Sequence, residues 1–328
     1  MTETIDRRQA LRCCVGAAGL TLVARGAWAQ APLPAGFTPP PMVPQQMSAH
    51  CWYVQGLSAL GSPKNQNFIS NAGFVVTGDS VVVIDALGSP ALAERLLAAI
   101  KKITPKPVKT VILTHYHADH VYGLQVFKDQ GAHIIAQQLG REYLYAQTAT
   151  LRLQASRTDL APWVDDKTHL VPADEWIDGR QERTIGGMTF VLQPVGPAHT
   201  PEDLAIYLPA DKVLYSGDLV FRSRIPYVGE ADSRNWIASL DKLLTFGAEV
   251  VIPGHGEASH EARKDMELTR SYLIYLRKTM GQAAQDMVPF DQAYKDTDWT
   301  DWEALPLFKA ANRMNAYNTY LLMEHEKP

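Results

Sequence analysis

Apolar residues along this chain alternate between two rhythms. Val81-Val82-Val83-Ile84 is an unbroken apolar run, and with Val108–Leu113 it predicts strands buried on both faces. Between them Leu92, Leu96, Leu97 and Ile100 recur at helical spacing, so Pro90–Ile103 is expected to be a helix with Pro90 in its first turn. Asn67–Thr77 and Ser80–Asp85 are β-rich and separated by Gly78-Asp79, a hairpin turn pair. Val121–Gln130 predicts a short helix stopped by Gly131, Ile134-Ile135-Ala136 a strand, and 138–158 a longer helical stretch. Strand signals return at Met188–Gln193, Leu204–Leu208 and Val213–Ser216. Trp236–Leu244 then predicts a helix and Val250–Ile252 a last strand, followed by helical patterns over 259–284 and 303–325.

Strands mixed with helices therefore occur twice. That order suits two sheets packed face to face with helices outside, a four-layer α/β arrangement. A doubly wound parallel sheet shares part of it, but no Gly-rich phosphate loop follows an early strand, which argues against a dinucleotide fold.

The chain has 328 residues, 46% hydrophobic and 20% charged, enough for a sizeable core. The formal net charge of -4 offers no basic surplus for nucleic acid or acidic lipid, so a small-molecule substrate is expected. The N-terminus stands apart. Arg7-Arg8, a weakly apolar stretch from Val15 to Ala24, and Ala27-Trp28-Ala29 fit an export signal over residues 1–29, with a twin-arginine character and a periplasmic destination. About ten apolar residues are too few to span a bilayer, which takes about 20, so no membrane span is expected in the mature chain. Removing 1–29 takes away Cys13 and Cys14 and leaves Cys51, so no internal disulfide is possible. Six prolines between Pro32 and Pro44 predict an extended linker over 30–47. A domain over 48–260 and a C-terminal helical extension over 261–328 follow.

Thr114-His115-Tyr116-His117-Ala118-Asp119-His120 is the densest chemical signal. It comes directly after the strand Val111-Ile112-Leu113. His115 and His117 are two apart, so in an extended segment they point the same way. Asp119 and His120 come where the chain turns. Neutral imidazoles with a carboxylate are the ligand set that Zn²⁺ favours. Three further positions share the context of an apolar strand followed by a loop: His199 in Gly196-Pro197-Ala198-His199, Asp218 in Tyr215-Ser216-Gly217-Asp218, and His255 in Pro253-Gly254-His255-Gly256.

The ordered set H-x-H-x-D-H, His, Asp, His resembles the metallo-β-lactamase superfamily over roughly residues 48–260. The resemblance implies an αββα sandwich with two Zn²⁺ between the sheets at one edge. It implies that His115, His117 and His199 hold the first ion, that Asp119, His120 and His255 hold the second, and that Asp218 bridges them. Asp85 matches the structural acid beneath the site in that family, holding a ligand loop by hydrogen bonds. Asp218 stands where the Cys-containing lactamases have Cys, so the pattern is nearer the glyoxalase II, lactonase and phosphodiesterase-type members. The stretch Asn315–Tyr320 resembles exported SoxH-like members.

These assignments imply a hydrolase of an ester, thioester, lactone or lactam bond. Two ions lower the pKa of a shared water, and Asp119 orients it and carries its proton. Tyr116, Tyr122, Arg222, Arg224 and Tyr227 are candidates for the substrate pocket. The competing reading is a persulfide dioxygenase-like oxidoreductase with one Fe²⁺, which shares the same cluster.

Overall fold

The computed structural model describes residues 37–229 and 231–326. The expected export segment and the first part of the Pro-rich stretch lie outside them. The first sheet has seven strands in chain order: β1 (Gln45–Gln46), β2 (Cys51–Val54), β3 (Ala72–Val76), β4 (Val81–Ile84), β5 (Val108–Ile112), β6 (His133–Gln137) and β7 (Glu175–Ile177). Strands β1 to β4 pair antiparallel, and β4 to β7 pair parallel. The second sheet has five: β8 (Gln181–Ile185), β9 (Met188–Pro194), β10 (Leu204–Leu208), β11 (Val213–Phe221) and β12 (Val250–His255), ordered β12-β11-β10-β9-β8.

Strand alternation distributes the apolar runs between two cores. Val82, Ile84, Ile112 and Ile135 of the first sheet meet Leu192, Ile206, Tyr215 and Ile252 of the second, forming the layer between the sheets. Their neighbours Val81, Val83, Val111 and Ile134 turn the other way. There they pack against α1 (Pro90–Ile103), α2 (Ala118–Val121), α3 (Leu124–Asp129), α4 (Gly140–Tyr145) and α5 (Gln147–Asp159). On the far side of the second sheet, Leu214 and Val251 pack against α6 (Ser233–Leu244), α7 (Ala262–Gln285) and α9 (Phe308–His325), with α8 (Phe290–Asp296) beside them. Each fully buried Val or Ile contributes roughly 1.5–3 kcal/mol, so β4, buried along its whole length, is a strong organiser of both layers. This is the expected αββα sandwich with helices in the C-terminal extension.

Local structure departs from the sequence pattern in a few places. The helix expected over Val121–Gln130 is two, α2 and α3, because the Gly123 N–H donates to Leu87 O at 3.1 Å and draws the chain onto the turn before α1. The helical stretch 138–158 divides at Ala146, which takes extended backbone with ψ 150°. β11 continues past Ser216 to Phe221, because β12 runs parallel to it as far as Phe221↔His255. β1, β2, β7, β8 and α8 had no counterpart in the pattern, and β1 lies within the stretch expected as linker, because Gln45 and Gln46 pair with Tyr53 and Trp52; β8 is polar on most positions, as an edge strand can be. Among the described residues no helix is long and apolar enough to cross a membrane.

Candidate metal centre

The C-terminal ends of β5, β9, β11 and β12 lead into or contain every ligand-type side chain singled out above. His115 and His117 lie between β5 and α2, and Asp119 and His120 lie within α2. His199 lies in the loop between β9 and β10. Asp218 is inside β11, not past its end, and His255 is the last residue of β12. Two glycines make this possible. Gly217 takes φ 52°, where the pairing of β11 with β12 shifts register, so the bulge re-aims Asp218. Gly254 leaves room for it: a Cβ there would fall 1.9 Å from Asp218 Oδ1.

The side chains converge in two groups that can hold a metal ion: His115, His117, His199 and Asp218, and Asp119, His120 and His255. In the first, His199 Nε2 lies 3.0 Å from His117 Nδ1 and 3.3 Å from Asp218 Oδ2. His115 Nε2 stands 4.0 Å from Asp218 Oδ2. In the second, His255 Nε2 is 3.3 Å from Asp119 Oδ2, and His120 Nε2 is 3.6 Å from it. Asp218 touches both groups, with Oδ2 3.2 Å from His255 Nε2 and Oδ1 3.3 Å from His120 Nε2. Ligand atoms at about 2.0–2.2 Å from a tetrahedral ion stand roughly 3.3–3.6 Å apart, and most of these separations, though not the 3.0 Å and 4.0 Å ones, suit polyhedron edges. Among the described residues His115 Nε2, His120 Nε2 and Asp218 Oδ1 are buried without a hydrogen-bond partner, which fits a role as metal-ligand atoms.

The charge states fit the same reading. Burial pushes His115 well below the ordinary imidazole value, His117 down to about 3 and His199 down to about 4, so the first group offers neutral imidazoles. Burial also opposes charge on His120 and His255, yet Asp218 and Asp119 beside them lift both. Burial would raise Asp119 and Asp218, but the neighbouring histidines hold both carboxylates low, in the form that binds a cation.

The supporting contacts are well defined. Asp85 takes φ 62° at the end of β4. Its Oδ1 accepts from Thr114 N at 2.8 Å, and its Oδ2 accepts from Thr114 Oγ1 at 2.7 Å and faces His120 Nδ1 at 2.9 Å. Thr114 Oγ1 lies 2.9 Å from His115 Nδ1, so one carboxylate orients both rings. Four further residues escaped the sequence reading. Asn71 Nδ2 donates to Pro253 O and Gly256 O, both at 2.8 Å, fixing the loop around His255. Ser70 Oγ donates to Asp119 O at 2.5 Å. Asp203 accepts from Thr200 N at 2.7 Å and Thr200 Oγ1 at 2.9 Å, closing the turn that carries His199. Trp236 packs edge-on to the His199 ring at 5.4 Å. None had a motif to mark it; only the Thr directly before the H-x-H pair lay within the cluster.

The pocket candidates separate. Tyr116 and Tyr122 are not on a pocket surface: both are buried in the helix-side core, with hydroxyls at Val171 O and Ser156 Oγ. Arg222 is turned to α7, bonded to Asp265 at 3.1 Å and Glu257 at 2.7 Å, so its charge is satisfied away from the ligands. Tyr227 and Arg224 face the site. The Tyr227 ring lies 6.2 Å from that of His199. Arg224 Nη1 lies 3.3 Å from His255 Nδ1, which itself faces Ile69 O at 2.7 Å. The Ile69 contact makes Nδ1 a donor, so it offers Arg224 no lone pair. Arg224 is buried, its guanidinium is 5.6 Å from the Phe221 ring centre, and among the described residues it forms no ion pair.

A sequence model of the metallo-beta-lactamase superfamily matches residues 66–255, the segment that carries all seven ligand-type residues. The chain belongs to the metallo-beta-lactamase superfamily. Members are generally hydrolases, and this one carries a His/Asp cluster able to bind metal. It is 26% identical over 234 residues to a linear primary-alkylsulfatase from Pseudomonas sp. (strain ATCC 19151), covering 60% of this chain and 44% of that protein. It is 30% identical over 183 residues to the 2,4-dinitroanisole O-demethylase subunit alpha of Nocardioides sp. (strain JS1661), covering 55% and 51%. The chain thus spans about half the length of these two relatives. The metallo-beta-lactamase IND-1 of Chryseobacterium indologenes is 26% identical over 58% of this chain and 74% of its own. Among solved structures, a sec-alkylsulfatase Pisa1 from Pseudomonas sp. matches with TM-score 0.67 at 17% identity, over 86% of this chain and 50% of that one. A metallo-beta-lactamase from Pontibacter korlensis matches with TM-score 0.57 at 24% identity, over 71% and 99%. These structural likenesses speak for the fold.

Proposed function

We propose that this superfamily member is a two-zinc hydrolase that cleaves an ester, thioester, lactone or lactam bond in a small molecule bearing an anionic group. His115, His117 and His199 would hold one ion, Asp119, His120 and His255 the other, and Asp218 both. A zinc pair supplies a water of lowered pKa and polarises the oxygen at the scissile bond. The protein's own part is position and proton transfer. Asp119 is suited to take and return a proton, because its side chain is 17% exposed where those of His120 and Asp218 are 0% and 5%. Asp85 and Thr114 hold the His115 and His120 rings so that their Nε2 atoms face inward.

The observation that carries the anionic group is Arg224. Among the described residues no carboxylate forms an ion pair with this buried guanidinium; Asp218 and Asp119 favour its charge from farther off and would do so less once they hold cations, so an anion on the substrate offsets the burial. Alkylsulfatase relatives are compatible with such a group, while the β-lactamase relatives keep the lactam class in view. We place the reaction outside the cytoplasm, supported by the Arg7-Arg8 pair and the Ala27-Trp28-Ala29 site in the sequence.

The test is metal analysis of the purified chain with a substrate panel. Two zinc per chain, turnover of anionic esters or lactams, and loss of both one ion and turnover in His117→Ala are expected. One iron per chain with O₂ uptake on a persulfide overturns the reading.

A further inference from the structure

The segment 222–229, which carries Arg224 and Tyr227, has no regular secondary structure. Two of its side chains lie beside the two ligand groups, the buried Arg224 at His255 and the partly exposed Tyr227 at His199. Its backbone from Ile225 to Gly229 is held by the C-terminal extension. Ile225 N donates to Pro306 O at 3.1 Å. Asn315 of α9 takes the next two groups: its Nδ2 donates to Pro226 O at 2.7 Å, and its Oδ1 accepts from Val228 N at 3.0 Å. Asn318, one turn on, donates to Gly229 O at 2.8 Å.

Asn315 is fully buried, and its second amide hydrogen goes to Tyr272 Oη of α7 at 3.0 Å. Tyr272 in turn donates to Asn312 Oδ1 at 2.8 Å, and Asn312 Nδ2 donates to Tyr294 Oη of α8 at 3.2 Å. The network ties α7, α8 and α9 to one point on the loop. A buried amide with every donor and acceptor used fixes geometry more than it adds stability, because each bond has a single direction that satisfies it. A residue whose only role is packing would not need to read a backbone N–H and a backbone carbonyl two residues apart.

We propose that Asn315 is a positioning residue: through Pro226 and Val228 it sets where Arg224 and Tyr227 stand beside the metal centre, so the C-terminal helices shape the substrate pocket from behind. This rests on the anion-binding reading of Arg224 for its consequence in binding, and on geometry alone for the clamp itself.

The experiment uses the full chain loaded with zinc, with inorganic sulfate as the probe, and compares Asn315→Ala, Asn318→Ala and Arg224→Ala. Hydrogen exchange reports the clamp. In Asn315→Ala the amides of Ile225 and Val228 are expected to exchange at least tenfold faster, while those of β4 and β5 keep their wild-type protection. Zinc content is expected to stay at the wild-type value, and the sulfate dissociation constant to rise about tenfold. Asn318→Ala, which frees one carbonyl only, is expected to shift both readings the same way by less, and it serves if the Asn315 variant does not fold. Unchanged exchange over 225–229 overturns the clamp, as does exchange that speeds up equally throughout the domain. If wild type and Arg224→Ala bind sulfate equally, the anion reading falls, and the exchange data alone decide the role of Asn315.

Discussion

Asp85 Oδ2 stands 2.9 Å from His120 Nδ1, so the acid at the end of β4 fixes the tautomer of a ring whose Nε2 faces the metal centre. Because Asp85 also receives both Thr114 donors, its loss frees two rings at once. Asp85→Ala is expected to weaken zinc binding by about 10–100-fold, read by chelator competition. Wild-type affinity in that variant would remove Asp85 from the proposed ligand support.

Metal uptake should release protons. Asp218 and Asp119 lift His120 and His255 above the ordinary imidazole value despite burial, which favours extra protons on these rings when no ion is bound. A cation must displace them. Affinity is therefore expected to rise with pH, and binding to release protons, measured calorimetrically in buffers of different ionisation enthalpy. Uptake without proton release would place the ion elsewhere.

Arg224→Ala separates a binding role from a structural one. It removes a buried charge with no ion-pair partner among the described residues, but also the packing of that side chain on Phe221, so the two effects oppose and the net change in stability should be small. Turnover of anionic substrates is expected to fall by about 10–100-fold in kcat/KM, the worth of a hydrogen bond to a charged group, while a neutral ester is spared. Equal losses on both would argue for a structural role.

Gly254→Ala tests the room left for Asp218. The added Cβ would meet Asp218 Oδ1 at 1.9 Å and the Gly217 carbonyl carbon at 2.7 Å, so the carboxylate must move. A loss of about 1–3 kcal/mol in urea unfolding and a lower zinc content are expected. Gly179→Ala is the control, since a Cβ there meets nothing within 4 Å.

Cys51 lies in the layer between the sheets, where burial pushes its thiol from 9.0 up to about 12. A raised folded value means that the unfolded chain loses this proton first. Its contribution to stability is full below pH 9 and is lost as pH climbs toward 12. In the folded protein Cys51 should resist iodoacetamide at pH 8 and react on unfolding, read by peptide mass. Rapid labelling of the native chain would contradict its placement.

The sequence by itself determined the layers and the donors. Val81–Ile84 is apolar at every position, and only a strand covered on both faces satisfies such a run, so the double-sided sheet was legible from spacing. The metal-ligand types were legible for a similar reason: His115, His117, Asp119 and His120 are too dense to be core residues. Tertiary structure alone decided which charges face the centre. Arg222 and Arg224 are two apart and alike in sequence, yet Asp265 on α7 captures the first, and the second is left beside His255. It also decided what holds the site. Asn71 reaches Pro253 across 182 positions, and Asn315 reaches Val228 across 87. Period and propensity describe neighbours along the chain, whereas a buried amide finds its partners only when distant segments have already packed.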